Sequence, residues 1–370
     1  MKRVVLITGH YWRSNKKAGF HWLADAFHRN GSEVLFFTCS LSLLSFLRRD
    51  KRLQYDGLFQ ARNRLIAEEE GLWSFVWFTP WHPANLRAGI LNKLSTPLFR
   101  RYGSFSLGSA ESFMQSADVF IIESGPGLLL VPYLKRLRPD ARFVYRVSDD
   151  LRFLRSHPVV IQAEEEYVSR FDLVSVPSTG MLKLFEGKTP HLELHLHGIN
   201  KELFDADYPN PYAGTAGPNL VFVGVSHFDI DFLDRASRLF PTRNFHIIGP
   251  IDGVQDCPNV KIYGELDFLK TVPFIKHADI GLATRSYMPG AELLGDSLKI
   301  IQYTYCRLSI VAPSFISTDR PNIIFYHPGD DESIRRAMLA ASTYNRSQTY
   351  RDDIKSWDEL AELLEGGQHA

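Results

Sequence analysis

The sequence predicts an α/β protein of two successive doubly wound domains, each a parallel sheet with helices on both faces. Its 370 residues, 45% of them hydrophobic, exceed what a single core usually organises. Short β-branched runs alternate with helical patterns along the chain. A stretch rich in proline and glycine, 207–218, divides the series in two.

In the first half, strands are predicted at 3–8, 33–38, 118–123, 142–147, 172–176 and 191–197. Between the first two, residues 19–29 place Phe20, Leu23, Ala24 and Phe27 on one helical face, which is a core face. The second series runs 219–224, 244–249, 260–263, 279–283, 308–312 and 322–326, with helices at 266–276 and 297–305. Strand–helix alternation calls for parallel pairing and right-handed crossovers. The expected domains are 1–205 and 218–345, with a C-terminal segment, 346–370, whose helical pattern at 352–364 packs back across the linker. Two such sheets place a cleft where their carboxyl ends face each other.

The net charge is zero but uneven: residues 1–105 hold 16 Lys/Arg against 7 Asp/Glu, and the remainder 26 against 35. A basic first half suits an anionic surface such as phospholipid or a pyrophosphate-linked ligand, and equally a solvated basic face. No nucleic-acid-binding motif accompanies it, so nucleic acid is not an expected partner. Cys39, Cys257 and Cys306 are odd in number and far apart, which gives neither a disulfide framework nor a CxxC metal site and fits a reducing cytoplasm. MKRVVLITGHYW reads as a first buried strand rather than a signal sequence, and nowhere do eighteen apolar residues run together. The chain is expected to lie on a membrane, not to cross one.

Chemistry concentrates at a few points. Arg146-Val147-Ser148-Asp149-Asp150-Leu151 sets two acids directly after a strand, at the end where α/β clefts are built. One carboxylate there can take a proton from an attacking hydroxyl, and the other can cap the next helix. Asp149 is read as the base and Asp150 as the cap or alternative base. In Gly295-Asp296-Ser297-Leu298-Lys299, Asp296 or Ser297 starts a helix whose first turn carries a lysine against the dipole. A helix N-terminus with a lysine is an anion site, although a solvated surface lysine has the same signature. Gln302 shares that face one turn on. Gly224 and Gly249 end strands and let backbone approach a ligand, or simply turn. Glu265 stands where it can hold a ribose diol or cap a helix.

Other patterns are weaker. Asp229-Ile230-Asp231 matches a metal-binding DxD but sits where capping acids are expected. His191, His195 and His197 lack a carboxylate or cysteine partner for zinc. No GxxxxGK[ST], GxGxxG, nucleophile elbow or HExxH occurs. These absences argue against P-loop, classical dehydrogenase, hydrolase and zincin readings, and no metal or cofactor is expected where a lysine and a helix N-terminus can meet a leaving diphosphate. The aromatic run from Trp73 through Trp77 to Trp81, followed by Arg87, Lys93, Arg100 and Arg101, mixes rings with cations as an interfacial segment does, while Val76 and its neighbours also read as a strand.

The run 263–283 (YGELDFLKTVPFIKHADIGLA), the segment GDSLKIIQY at 295–303, VSDDL, and HGIN at 197–200 resemble the GumK-type glucuronosyltransferases of xanthan-type exopolysaccharide assembly. The similarity is clearest over 118–312. It implies a GT-B fold, two Rossmann-like domains with parallel sheets facing a central cleft, the first binding acceptor and membrane and the second the nucleotide sugar. It also implies an inverting, metal-independent transfer of glucuronate from UDP-glucuronate to a mannose of a polyprenyl-pyrophosphate-linked oligosaccharide, with a β-1,2 bond. The place of action it implies is the cytoplasmic face of the bacterial inner membrane, as a peripheral protein. By position, Asp149 matches the family's base, Lys299 the residue on the donor phosphates, Gln302 its neighbour, and Glu265 with Leu266 the nucleoside contacts. Ser297 and Gly224 flank the same donor region. Ser226 falls where the family has a methionine, and Arg285 where it has a donor-contacting tyrosine, with Tyr287 two residues on. An arginine there can pair bidentately with a glucuronate carboxylate.

Competing readings are the same fold with a neutral UDP- or GDP-sugar donor, a UDP-sugar epimerase, and a two-lobed binding protein without catalysis. The basic aromatic segment speaks against the second, and the SDD at a strand end against the third.

Overall fold

The computed structural model describes residues 1–14, 17–224 and 227–367. The chain divides into two compact units: Met1–Pro177 with Met181–His195 and the segment from Trp357, and Leu196–Ser356 with Ser178–Gly180.

The first unit is built on eight strands: β1 (Arg3–Thr8), β2 (Glu33–Ser42), β3 (Leu65–Glu69), β4 (Leu72–Thr79), β5 (Val119–Glu123), β6 (Arg142–Arg146), β7 (Leu173–Val176) and β8 (Leu192–Leu194). Their order is β3-β4-β2-β1-β5-β6-β7-β8. All pairs are parallel except β3 with β4. β1, β5 and β6 are almost wholly buried runs, as parallel strands covered on both faces must be. The sequence pattern fixes β1 and the helix Gly19–Arg29 at the expected bounds. It does not reveal β3, and it offers β4 as an alternative to an interfacial segment. The reason is that β4 lies between β2 and β3 and is buried on both sides, so its aromatics show no alternation.

The second unit carries β9 (Asn219–Val223), β10 (Asn244–Ile248), β11 (Val260–Gly264), β12 (Ile280–Leu282), β13 (Ser309–Pro313) and β14 (Ile323–Tyr326). All are parallel, in the order β11-β10-β9-β12-β13-β14. This is the doubly wound order in which the first and fourth strands are neighbours, and the connections diverge between them. Cores form on both sides of the sheet, one around Ile300, Tyr303 and Ile310, the other around Phe232, Tyr326 and Met338.

The last helix, Trp357–Glu365, packs on Gly19–Arg29 within the first unit. Trp357, Leu360 and Leu364 are buried there, and Arg29 Nη2 pairs with Asp358 Oδ1 at 2.8 Å. The helix starts later than its periodicity suggests, because Ser356 bridges to Ile199 in extended form. Among the described residues no helix is long and apolar enough to cross a membrane.

Candidate active site

In the first sheet the order reverses between β1 and β5, so a ligand crevice is expected beyond their carboxyl ends. Three titratable groups gather there. His10 follows β1, Glu123 ends β5, and Asp149 follows β6 after the buried Val147. Glu123 is nearly enclosed and is held from three sides. Thr8 Oγ1 bonds Oε2, Ser148 Oγ donates to Oε1 at 2.8 Å, and His10 Nε2 lies 3.6 Å from Oε1. Ser148 N donates to Ser124 Oγ at 3.0 Å, which fixes the turn carrying Asp149.

The charges follow from these contacts. Burial pushes the Glu123 pKa up, but the hydrogen bonds and charge of His10, with Thr8 and Ser148, outweigh it and leave the group lowered. Burial pushes His10 down, and the bond and charge of Glu123 more than offset that, so its pKa is raised. Both shifts favour the charged forms, the imidazolium of His10 and the carboxylate of Glu123. Among the described residues Asp149 accepts no such hydrogen bond. Protein atoms crowding its carboxyl, then the negative charge of Glu123, raise its pKa to about 6, with His10 opposing. Its side chain still reaches solvent and borders a cavity of about 210 Å³ with His10, Cys39, Glu123, Ser148 and Leu154. A carboxylate accessible to ligand and poised near 6 is suited to accept a proton.

In the second sheet the reversal lies between β9 and β12. The helix Leu298–Tyr305 starts beside it, with Ser297 at the cap position and no side-chain capping bond. Lys299 reaches across, its Nζ 3.9 Å from the centre of the Phe222 ring. Gly224 makes room for it, and Gly249 makes room for Gly224. A Cβ on Gly249, whose φ is 146°, would stand 1.8 Å from the Gly224 carbonyl oxygen, and a Cβ on Gly224 would stand 2.7 Å from Lys299 Nζ. Burial, and then the charge of Arg285, lower the Lys299 pKa to about 7. Burial lowers that of Arg285 as well. Two cations crowd this strand end with no carboxylate between them in the hydrogen-bond or ion-pair pattern of the described residues, an arrangement that an oligo-anion would relieve. Beside Arg285, the buried Thr284 hydroxyl makes no hydrogen bond among the described residues.

The other expected residues are scattered more widely. Gln302 is buried one turn from Lys299. Glu265 is exposed after β11, and Leu266 packs half-buried on the second unit's core. Tyr287 is 69% exposed and meets the Phe315 ring edge-on. Ser226 lies outside the described residues. Asp296 does not cap: its carboxylate receives Thr179 and pairs with Arg320 at 3.0 Å. Asp150 caps, but what it caps is a turn, through Arg152 N at 2.9 Å, since the next helix, Pro158–Tyr167, is capped by His157. Asp229 caps the helix Ile230–Leu239, as a capping acid should. Among the described residues no three His, Cys, Asp or Glu side chains cluster as metal ligands would.

One interfacial expectation is corrected. Trp77 is 1% exposed, lies against Tyr102 and Phe37, and donates its indole N–H to the Ser106 carbonyl, so it is core. Trp81 is half-buried against Phe105, whereas Arg87, Lys93, Arg100 and Arg101 are exposed. Sequence reasoning missed His10, Glu123 and Thr284. The signal for the first two was the strand ends themselves, once the β1/β5 adjacency is known.

Known proteins share this architecture and parts of the sequence. Residues 6–177 match the family described as "Glucuronosyltransferase GumK, N-terminal domain". The chain is 28% identical over 365 residues, 97% of its length and 88% of the relative's, to the UDP-glucuronate:glycolipid 2-beta-glucuronosyltransferase of Xanthomonas campestris pv. campestris. Among solved structures, sucrose-phosphate synthase from Thermosynechococcus elongatus aligns with TM-score 0.63 at 14% identity, over 98% of this chain and 97% of that one. The Anabaena protein HepE in complex with UDP and glucose aligns with TM-score 0.58 at 13% identity, over 98% and 95%. At such identities the structural likeness is one of fold.

Proposed function

We infer that this GumK-like glycosyltransferase, a chain of the GT-B fold, is an inverting enzyme that moves glucuronate from UDP-glucuronate to a sugar hydroxyl of a polyprenyl-pyrophosphate-linked oligosaccharide. The observation that carries the reading is Asp149, a solvent-reaching carboxylate at the switch point of the first sheet with its pKa raised to about 6. The Xanthomonas relative acts on a glycolipid with UDP-glucuronate, which supports the donor and the lipid-linked acceptor. A mannose acceptor and a β-1,2 linkage belong to the same reading.

The steps follow from the groups present. The Asp149 carboxylate takes the proton of the acceptor hydroxyl, whose oxygen attacks the anomeric carbon of the glucuronosyl group from the face opposite UDP. The bond from that carbon to the diphosphate oxygen breaks, and its electron pair leaves on UDP. Lys299 and the N-terminus of Leu298–Tyr305 meet the charge that develops there, so no divalent ion takes part. The Glu123 charge beside Asp149 raises its basicity, and His10 opposes it. Arg285 beside Lys299 suits a donor that carries a carboxylate, which favours glucuronate over a neutral hexose. The protein works as a peripheral enzyme at the cytoplasmic face of the bacterial inner membrane.

The test is transfer from UDP-glucuronate, UDP-glucose and GDP-mannose to lipid-linked oligosaccharides, with wild type and Asp149→Asn. The expected result is transfer from UDP-glucuronate alone, with kcat reduced by about 10²- to 10⁴-fold in the variant and UDP binding retained. Transfer from a neutral donor would overturn the donor assignment, and an active Asp149→Asn would overturn the base.

A further inference from the structure

Next to the Asp149 cavity the first unit holds a larger one, of about 360 Å³. The two share Ser40, Pro126 and Leu154 in their walls, so they adjoin. The larger cavity is cationic. Arg48, Arg52 and Arg155 line it, and Asp50 is the one acid that does. Arg52 is committed to the structure: it pairs with Asp50 at 2.7 Å and donates to the carbonyls of Gly9 and Ser40. Arg48 and Arg155 have no carboxylate partner in the ion pairs of the described residues. Among the described residues the Arg48 side chain donates only to the Asn85 carbonyl, at 3.3 Å, and both arginines are exposed at the rim. His82 on the wall is neutral, its pKa pushed to about 4 by burial and then by Arg52 and Arg48.

The cavity is built before any ligand arrives. Asn85 joins its two loops, since its carbonyl receives Arg48 and its side chain donates to the Arg155 carbonyl at 2.7 Å. Arg155 (φ 49°) and Ser40 (φ 65°) hold left-handed backbone without being glycine, a strain that concentrates at ligand sites.

Apolar side chains turned to solvent flank it. The short helix Leu43–Leu47, which ends at Arg48, leaves Leu47 81% exposed, and Leu154 on the wall is 53% exposed. The helix Gly89–Arg100 buries Asn92 and Phe99 and presents Ile90, Leu94 and Leu98 outward, four residues apart, as one stripe. Asn92 ties this helix to Asn85 at 3.1 Å. Cations at a cavity mouth beside an outward apolar stripe fit an amphiphile with an anionic head and a hydrocarbon tail.

We propose that this cavity is the subsite for the diphosphate of the lipid-linked acceptor, with Arg48 and Arg155 on its oxygens and the hydrocarbon chain running along Leu47, Ile90 and Leu94. The acceptor's sugar end then enters the adjoining Asp149 cavity. The inference rests on the lipid-linked acceptor reading, but not on the identity of the donor.

The experiment compares wild type, Arg48→Gln/Arg155→Gln and Leu94→Gln for binding of farnesyl diphosphate by calorimetry. Inorganic diphosphate and phosphatidylglycerol vesicles are separate arms, and UDP binding reports the integrity of each variant. Farnesyl diphosphate is expected to bind wild type, to lose roughly tenfold or more in affinity in the double arginine variant, and to weaken in Leu94→Gln while inorganic diphosphate does not. KM for the lipid-linked acceptor should rise in the arginine variant with the KM for donor unchanged. Equal binding of farnesyl diphosphate by wild type and the arginine variant would overturn the proposal. So would a loss confined to vesicle binding, which would make the site a general headgroup contact. Farnesyl diphosphate binding is read without any sugar donor, so a wrong donor assignment leaves this outcome standing.

Discussion

Asp149 and Lys299 owe their proposed roles to opposite electrostatic problems. The Asp149 carboxyl is crowded by protein and by the Glu123 charge, so its pKa rises to about 6. Lys299 is half-buried beside Arg285, so its pKa falls to about 7. The base must be ionised, hence kcat should climb as pH rises through about 6. The lysine must be protonated to greet the donor, hence kcat/KM for the donor should fall as pH rises above about 7. A bound diphosphate restores the lysine's charge, so kcat at saturating donor should not show that second limb. Initial rates between pH 5 and 9 check both, and a flat kcat profile would remove Asp149 as the titrating base. Lys299→Ala should weaken UDP binding by about tenfold or more. Gly224→Ala should weaken it too without touching any charge, because its new Cβ would displace the Lys299 ammonium group. Unchanged UDP affinity in Gly224→Ala, by calorimetry, would detach that glycine from the lysine's placement.

At the scale of elements, the strand ends carry the proposed chemistry and the helices cover the sheets. The returning helix Trp357–Glu365 covers Gly19–Arg29, and its Trp357 is 5% exposed. Trp357→Ala should cost about 3–5 kcal/mol within the first unit. Native-state hydrogen exchange is the measurement: protection should drop across β1, β2 and β5 while β9 and β10 keep theirs. An equal loss in both sheets would show that the helix does not belong energetically to the first unit alone. Element periodicity was legible where one face is buried and one is wet, as in Gly19–Arg29. It failed at β4, where burial on both faces turns an aromatic strand into what looks like an interfacial segment.

For the whole molecule, the expectations are metal independence and membrane association without a span. In the proposed mechanism the donor's leaving group is met by Lys299 and a helix N-terminus, so transfer should persist at full rate in excess EDTA. A loss restored by manganese would replace that account with a metal-assisted one. On the proposed membrane association, the excess of cations in residues 1–105 should supply a long-range attraction to anionic bilayers that salt screens, whereas the contribution of the exposed leucines of Gly89–Arg100 should be insensitive to it.

The sequence by itself determined the two α/β series, most strand bounds, the SDD turn and the helix that starts at GDSLK. Each of these is a local pattern: periodicity, a strand end, a cap, a lysine in a first turn. Tertiary structure alone decided which distant residues share a site. Thr8 and Glu123 lie 115 residues apart and meet because β1 and β5 are neighbours, which brings His10 to the same carboxylate. The arginine cavity depends in the same way on Asn85 joining the loops of Arg48 and Arg155. Burial and pKa are sums over neighbours in space, so the exposure of Asp149, the depression of Lys299 and the core position of Trp77 arise only once the chain has folded.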